Sequence, residues 1–113
     1  METIDRAHEC GRLALDKKAR NVVILELSGL TDIADYFVLA NGGSERHAKT
    51  ISEGIEQGMK GKGIQPLSTE GYDAGRWIIM DYGDVIVHVF LEDLRELYDL
   101  ESLWIEAKRQ TMD

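Results

Sequence analysis

Three groupings in this sequence bring together residue types that do chemistry. The first is Asn41-Gly42-Gly43-Ser44, which ends one apolar run and opens a helical pattern. Free N–H groups at a helix N-terminus bind anions, and nucleotidyltransferases place a Gly-Ser pair at such a junction to hold a triphosphate. That chemistry also needs two closely spaced carboxylates on a neighbouring strand to hold a divalent metal. No Asp-x-Asp occurs in the chain, and Asp81 and Asp84, three apart across a turn, are expected to face solvent. No Gly-Lys-Ser/Thr follows, so a phosphate loop of the Walker type is absent as well. The plainer reading is a capped turn in which Ser44 satisfies helix N–H groups.

The second grouping is the histidines with Cys10 and Ser44. His8 and Cys10 are two apart on a helical pattern and point in different directions, and no second pair completes a zinc set. Ser44 with His47 invites a hydrolase reading. Three apart at a helix start is where a cap meets the third helical residue, and no strained nucleophile elbow surrounds them. His88, inside an apolar run, reads as a core histidine with both nitrogens satisfied. Catalysis has little support, and neither a cofactor nor a metal is expected.

The third grouping lies toward the C-terminus. Trp77, Tyr98 and Trp104 stand close in sequence to Arg76, Asp99, Leu100 and Glu101. Aromatic anchors rimmed by charge are what protein–protein hot spots look like. For each Trp the alternative is burial in the core.

The elements that must position these residues centre on Trp77-Ile78-Ile79-Met80 and Val85-Ile86-Val87-His88-Val89-Phe90, joined by Asp81-Tyr82-Gly83-Asp84. Val and Ile suit a pleated backbone, and Gly83 supplies the positive φ of a tight turn, so the pair reads as a β-hairpin. If Asp81 pairs with Asp84, Ile79 faces Ile86 and Trp77 faces His88; a one-residue bulge at Gly83 would shift that register. Both faces of each strand are mostly apolar, as in a sheet covered on both sides.

Upstream, the spacing of Ile4, Ala7, Gly11 and Ala14 predicts a helix over Thr3 to Lys18. Asn21 to Leu27 and Tyr36 to Ala40 read as strands. After the Ser44 cap, Ala48, Ile51, Ile55 and Met59 mark the buried face of a helix that Gly61 and Gly63 end. Ile64 to Ser68 reads as a short edge strand, since Pro66 cannot donate to a ladder. Leu91 to Leu97 forms one or two helical turns, and Asp99 caps a last helix from Leu100 to about Arg109 with Leu100, Leu103, Trp104 and Ala107 inward. The order is α-β-β-α-β-β-β-α, a three-layer α/β domain with a mixed, mostly buried five-stranded sheet flanked by helices.

At 113 residues the chain is expected to be one domain spanning 1–113. The single cysteine excludes an internal disulfide and fits a reducing, cytoplasmic setting. No apolar run approaches the roughly 20 residues of a membrane span, and the N-terminus lacks a secretory signal pattern. Charge is more informative. The net value is -8, and between Asp81 and Glu106 eight acids stand against Arg95 alone. Phosphate backbones attract positive proteins, so little direct nucleic-acid binding is expected of that third. A basic protein surface suits it better; the alternative is an acidic face that only keeps the protein soluble.

Taken together, Asp16-Lys17-Lys18-Ala19, Asp35-Tyr36-Phe37-Val38, Gly42-Gly43-Ser44 with Arg46-His47, Glu70-Gly71, Gly75-Arg76-Trp77, Asp81 to Phe90, and Tyr98-Asp99-Leu100-Glu101-Ser102-Leu103-Trp104 resemble the ribosomal silencing factor (Iojap) family. The blocks run in the family's order from about residue 4 to 107. The resemblance implies a nucleotidyltransferase-like α/β core without metal-binding carboxylates, and a non-enzymatic, often homodimeric factor. It implies binding to the large ribosomal subunit through ribosomal protein fourteen at the intersubunit face. Occupying that face blocks small-subunit joining and lowers translation when nutrients are short. By family analogy and charge, the contact residues are expected to be Arg76, Trp77, Tyr98, Asp99, Leu100 and Glu101. Trp77 and Leu100 would be apolar anchors, with Asp99 and Glu101 meeting Lys or Arg. The competing readings are a phosphate-binding nucleotidyltransferase relative and a dimeric adaptor with a non-ribosomal target.

Overall fold

The computed structural model of the chain describes residues 1–112. Its elements are α1 (Thr3–Asp16), β1 (Arg20–Glu26), β2 (Tyr36–Gly42), α2 (Glu45–Lys60), β3 (Ser68–Glu70), β4 (Trp77–Asp81), β5 (Val85–Leu91), α3 (Glu92–Tyr98), α4 (Leu100–Leu103) and β6 (Lys108–Thr111). The strands form one six-stranded sheet in the order β3-β4-β5-β2-β1-β6. Only β2 and β5 run parallel; every other neighbouring pair is antiparallel.

The central strands are apolar on both faces because both faces are covered. Val22, Ile24, Val38, Ala40, Ile78, Met80, Val85, Val87 and Val89 point to one side, where they pack with Ala7, Cys10 and Ala14 of α1 and Ala48, Ile51, Ile55 and Met59 of α2. Val23, Leu25, Phe37, Leu39 and Phe90 point to the other side, which Leu94, Leu100 and Trp104 cover. The alternation follows from the two-residue repeat of a strand. The first side is roofed by two long helices, the second by the short α3 and α4, the turn after them, and Leu27 and Ala34 of the β1–β2 connection. That thin second layer places Trp77, Tyr98 and their neighbours at the surface.

The β4–β5 hairpin forms with a register displaced by two residues: Trp77 pairs with Phe90 and Ile79 with His88. Tyr82 N–H donates to the Val85 carbonyl at 2.8 Å, so Gly83 and Asp84 make a two-residue turn. Gly83 takes φ 87 there, the conformation that the first position of a type II′ turn demands. An even displacement keeps each side chain on its face, so the core assignment survives the slip.

The edges depart further from expectation. The edge strand begins at Ser68 rather than Ile64, because Pro66 offers no donor and pairing starts only after it. The predicted helix from Leu100 to Arg109 is replaced by the four-residue α4, a turn, and β6. Glu26 to Val23 on the edge of β1 pair with Lys108 to Thr111, which satisfies backbone groups that a terminal helix would leave open. This sixth strand is absent from the five-stranded expectation. Leu103, expected inward, is 70% exposed, while Ala107 is buried as expected.

Candidate functional site

The Gly-Gly-Ser junction is built as a helix cap. The Ser44 Oγ accepts from His47 N–H at 3.0 Å, Gly43 N–H donates to His47 Nδ1 at 2.9 Å, and His47 Nε2 meets the Lys17 carbonyl at 2.8 Å. This pattern uses both ring nitrogens of His47, one helix-terminal N–H and the Gly43 N–H just before the cap, donors that an anion would need. Gly42 lets β2 run close to α2, since a Cβ there would stand 2.9 Å from Ala48 N. The open cavity over the junction, about 430 Å³, is also lined by Glu92, Asp93 and Glu96. Three carboxylates facing the turn repel phosphate.

The remaining polar candidates are also occupied elsewhere. Asp81 Oδ1 accepts from Gly83 N–H at 2.7 Å, and Asp84 pairs with Arg6 at 3.2 Å. His8 meets Gln110 Oε1 at 2.9 Å. Cys10 is fully buried, and desolvation pushes its thiol up to about 12, far from reactive. Among the described residues no group of three or more His, Cys, Asp or Glu is placed to hold a metal ion.

The C-terminal grouping comes together on the thin side of the sheet. Trp77 is half-buried at the start of β4. Its ring stacks on Phe90 at 4.9 Å and meets Tyr98 at 4.7 Å between centroids, distances at which aromatic pairs attract. Its indole N–H donates to His88 Nδ1 at 3.1 Å. His88 in turn lies 4.6 Å from the Phe37 ring, and Phe37 meets Trp104 edge-on at 6.5 Å. Only one nitrogen of His88 is satisfied, against the expectation of two: Nε2 is buried without a partner among the described residues. Desolvation holds the imidazole down at about 4.

The six candidate contact residues divide by what they touch. Tyr98 is 53% exposed above Trp77. Arg76 is exposed, 3.9 Å from Glu45, a surface pair of small energetic weight. Leu100 packs inward against the second core cluster and stays partly exposed. Asp99 has φ 45 and caps α4, its carboxylate accepting from Ser102 N at 3.4 Å and Ser102 Oγ at 2.6 Å. Glu101 is paired with Arg95, whose Nε and Nη2 reach its two oxygens at 3.2 Å each.

Four residues of this corner were not among the contact residues expected from the sequence. Arg95 reads there as one cation in an acidic run, yet it is buried. Leu97, Leu103 and Ile105, within a few residues of Tyr98 or Trp104 in the chain, are each at least 70% exposed. Their signal is in the sequence: Leu103 and Ile105 are large apolar residues left over once the helix over 100–109 is withdrawn, and Leu97 lies near the end of α3 with its side chain exposed.

Comparison with known proteins agrees with this architecture. A profile of the family described as "Ribosomal silencing factor during starvation" (RsfS) matches residues 1–113. The ribosomal silencing factor RsfS of Bacillus subtilis is 39% identical over 98 residues, covering 87% of this chain and 83% of that protein. That of Halalkalibacterium halodurans is 42% identical over 92 residues, covering 81% of this chain and 79% of the relative. A crystal structure of a Chromobacterium violaceum protein superposes with a TM-score of 0.89 at 32% identity, over 92% of this chain and 87% of that one. The chain belongs to the ribosomal silencing factor (RsfS) family.

Proposed function

We propose that this protein is a non-enzymatic, cytoplasmic silencing factor that docks on the large ribosomal subunit and excludes the small one. The observation that carries the reading is the corner where Leu97, Tyr98, Leu103 and Ile105 stand exposed, within a segment of eight acids and one arginine. Four large apolar residues exposed within one short segment are the kind of ground that marks an interaction surface. The acidic surround favours a basic partner. Ribosomal protein fourteen, at the intersubunit face, is that partner in this reading. Trp77 and Tyr98 serve as the aromatic anchors, and Leu100 packs against the second core cluster. The same apolar ground can serve a homodimer when the factor is free.

The mechanism is steric. A docked interface of about 1,200–2,000 Å² total is enough to hold a small protein stably, and its bulk on the joining face leaves no room for the other subunit. Acids around the anchors speed encounter with a basic protein, while neighbouring RNA phosphates repel misplaced dockings. The enzyme alternative loses ground on the occupied Gly43–His47 cap and the three acids that line the same cavity.

Sedimentation of lysate through a sucrose gradient tests the reading. The protein should migrate with free large subunits and be missing from translating ribosomes, and purified protein should block joining of purified subunits. Migration at the top of the gradient, with joining unimpeded, would sink it.

A further inference from the structure

We propose that Arg95 is the positioning residue of the docking surface: by holding Glu101 across Asp99, it fixes the corner from which Leu97 and Tyr98 project. The inference rests on the docking reading above. Arg95 lies in α3 and is 7% exposed, although guanidinium groups are seldom buried unless paired. Its Nε and Nη2 grip both oxygens of Glu101 in a fork, the geometry in which an arginine is most directional. Its Nη1 donates to Asn41 Oδ1 at 2.9 Å and to the carbonyl of Asn21. Asn41 is at the end of β2, and Asn21, with φ 51, lies in the irregular start of β1. One side chain thus ties α3 and α4 to two strands of the sheet.

The corner needs such a tie. Helices of seven and four residues do not persist on their own. Between them stands Asp99 at φ 45, a left-handed conformation that costs a non-glycine residue energy. The Asp99 side chain secures only the start of α4, through Ser102. The Arg95–Glu101 fork spans this joint from one helix to the other. Tyr98, the residue just before the joint, therefore meets Trp77 at an angle that Arg95 sets. Glu101 acquires a different role as a result. Its side chain is 23% exposed and both oxygens are engaged, so it acts through Arg95 rather than by meeting a cation of the partner.

A double-mutant cycle separates these roles. The full chain is prepared as wild type, Arg95→Lys, Glu101→Gln and the double variant, with Arg95→Met as a stronger fifth form. Binding to purified large subunits and backbone hydrogen exchange of the free protein are measured for each. Each single change should weaken binding by about tenfold, and the double should be no worse than the stronger single, the signature of two residues acting as one. Exchange over residues 97–103 should quicken by at least about tenfold while β4 and β5 keep their protection. If Arg95→Met fails to fold, Arg95→Lys, which keeps the charge but not the fork, carries the comparison. Effects that multiply in the double variant, or unchanged binding and exchange in Arg95→Lys, would overturn the proposal. Wild-type protein that fails to bind large subunits would overturn the docking reading and Arg95's part in it. Faster exchange in the variants would then still uphold the clamp itself.

Discussion

The indole N–H of Trp77 donates to Nδ1 of His88 at 3.1 Å, although the two residues are diagonal rather than direct partners across β4 and β5. Diagonal neighbours on one sheet face come within reach of long aromatic side chains. The bond gives Nδ1 the acceptor role, which places the imidazole proton on Nε2. It also steadies the Trp77 ring, which stacks on Phe90 at 25° and meets Tyr98 at 39°. A half-buried indole is thereby kept in one orientation at the edge of the proposed docking face. Protonation of His88 would turn its acceptor into a second donor and break the arrangement.

Stability should accordingly fall with acid in a defined window. Burial lowers the folded-state pKa of His88 from 6.5 to about 4. A group depressed in this way contributes its full share above the unfolded value, and that share is lost as pH falls from 6.5 through about 4. The displacement corresponds to about 3 kcal/mol. Urea melts between pH 7.5 and 5 should show the decline before most carboxylates titrate, and His88→Gln should flatten it. An unchanged midpoint across that range would show that the histidine is not held neutral by the fold.

The centre of the sheet gives a second prediction. Val87 is fully buried, flanked by Val38 on β2 and Met80 on β4. Val87→Asp introduces a carboxylate with no partner among apolar side chains, at a cost of several kcal/mol. The variant should be insoluble or unfolded on expression. A soluble protein with wild-type melting temperature would contradict the packing of the first core cluster.

Legibility in the sequence followed the density of apolar patterning. Ala48, Ile51, Ile55 and Met59 repeat at helical spacing and all four are fully buried. The strands β1, β2, β4 and β5 are similarly marked by Val and Ile. Register was less legible, because Asp81-Tyr82-Gly83-Asp84 admits several turns and only the Tyr82–Val85 closure selects one. Strand β6 was hidden: Lys108-Arg109-Gln110-Thr111 are all exposed, so no alternation reveals them, and the vacant edge of β1 that recruits them is a tertiary fact. Arg95 was hidden for the same reason. Its acceptors Asn21, Asn41 and Glu101 are brought together only by the fold.

Ser44→Ala tests the cap. Loss of the Ser44 Oγ to His47 N–H bond should destabilise the protein by about 1 kcal/mol, read as a lower denaturation midpoint. Large-subunit binding should be unaffected, because α2 lies on the opposite side of the sheet from Trp77 and Tyr98. Nucleotide transfer by the wild type that vanished in this variant would replace the non-enzymatic reading with a catalytic one.

The last prediction concerns the acids that remain free to meet a partner. Asp99 is engaged with Ser102, and Glu101 with Arg95. Reversing either would disturb the corner as well as its charge. Glu96 and Glu106 are exposed, and neither takes part in an ion pair among the described residues. The double change Glu96→Lys, Glu106→Lys therefore reverses local charge while leaving the clamp, the cap and the aromatic stack in place. Rim charges mainly set association rate and salt dependence, and reversal adds repulsion to the lost attraction. Binding to large subunits should weaken by about tenfold, equivalent to roughly 1.4 kcal/mol, chiefly through slower association. Added salt should narrow the gap between variant and wild type, since exposed charges are screened beyond about 8–10 Å near physiological ionic strength. Melting temperature and oligomeric state are measured alongside, because the same ground can serve a homodimer. A folded variant that binds with wild-type rate and blocks subunit joining as well would mean that these acids only solubilise the surface, and that docking relies on Trp77, Tyr98 and their apolar neighbours alone.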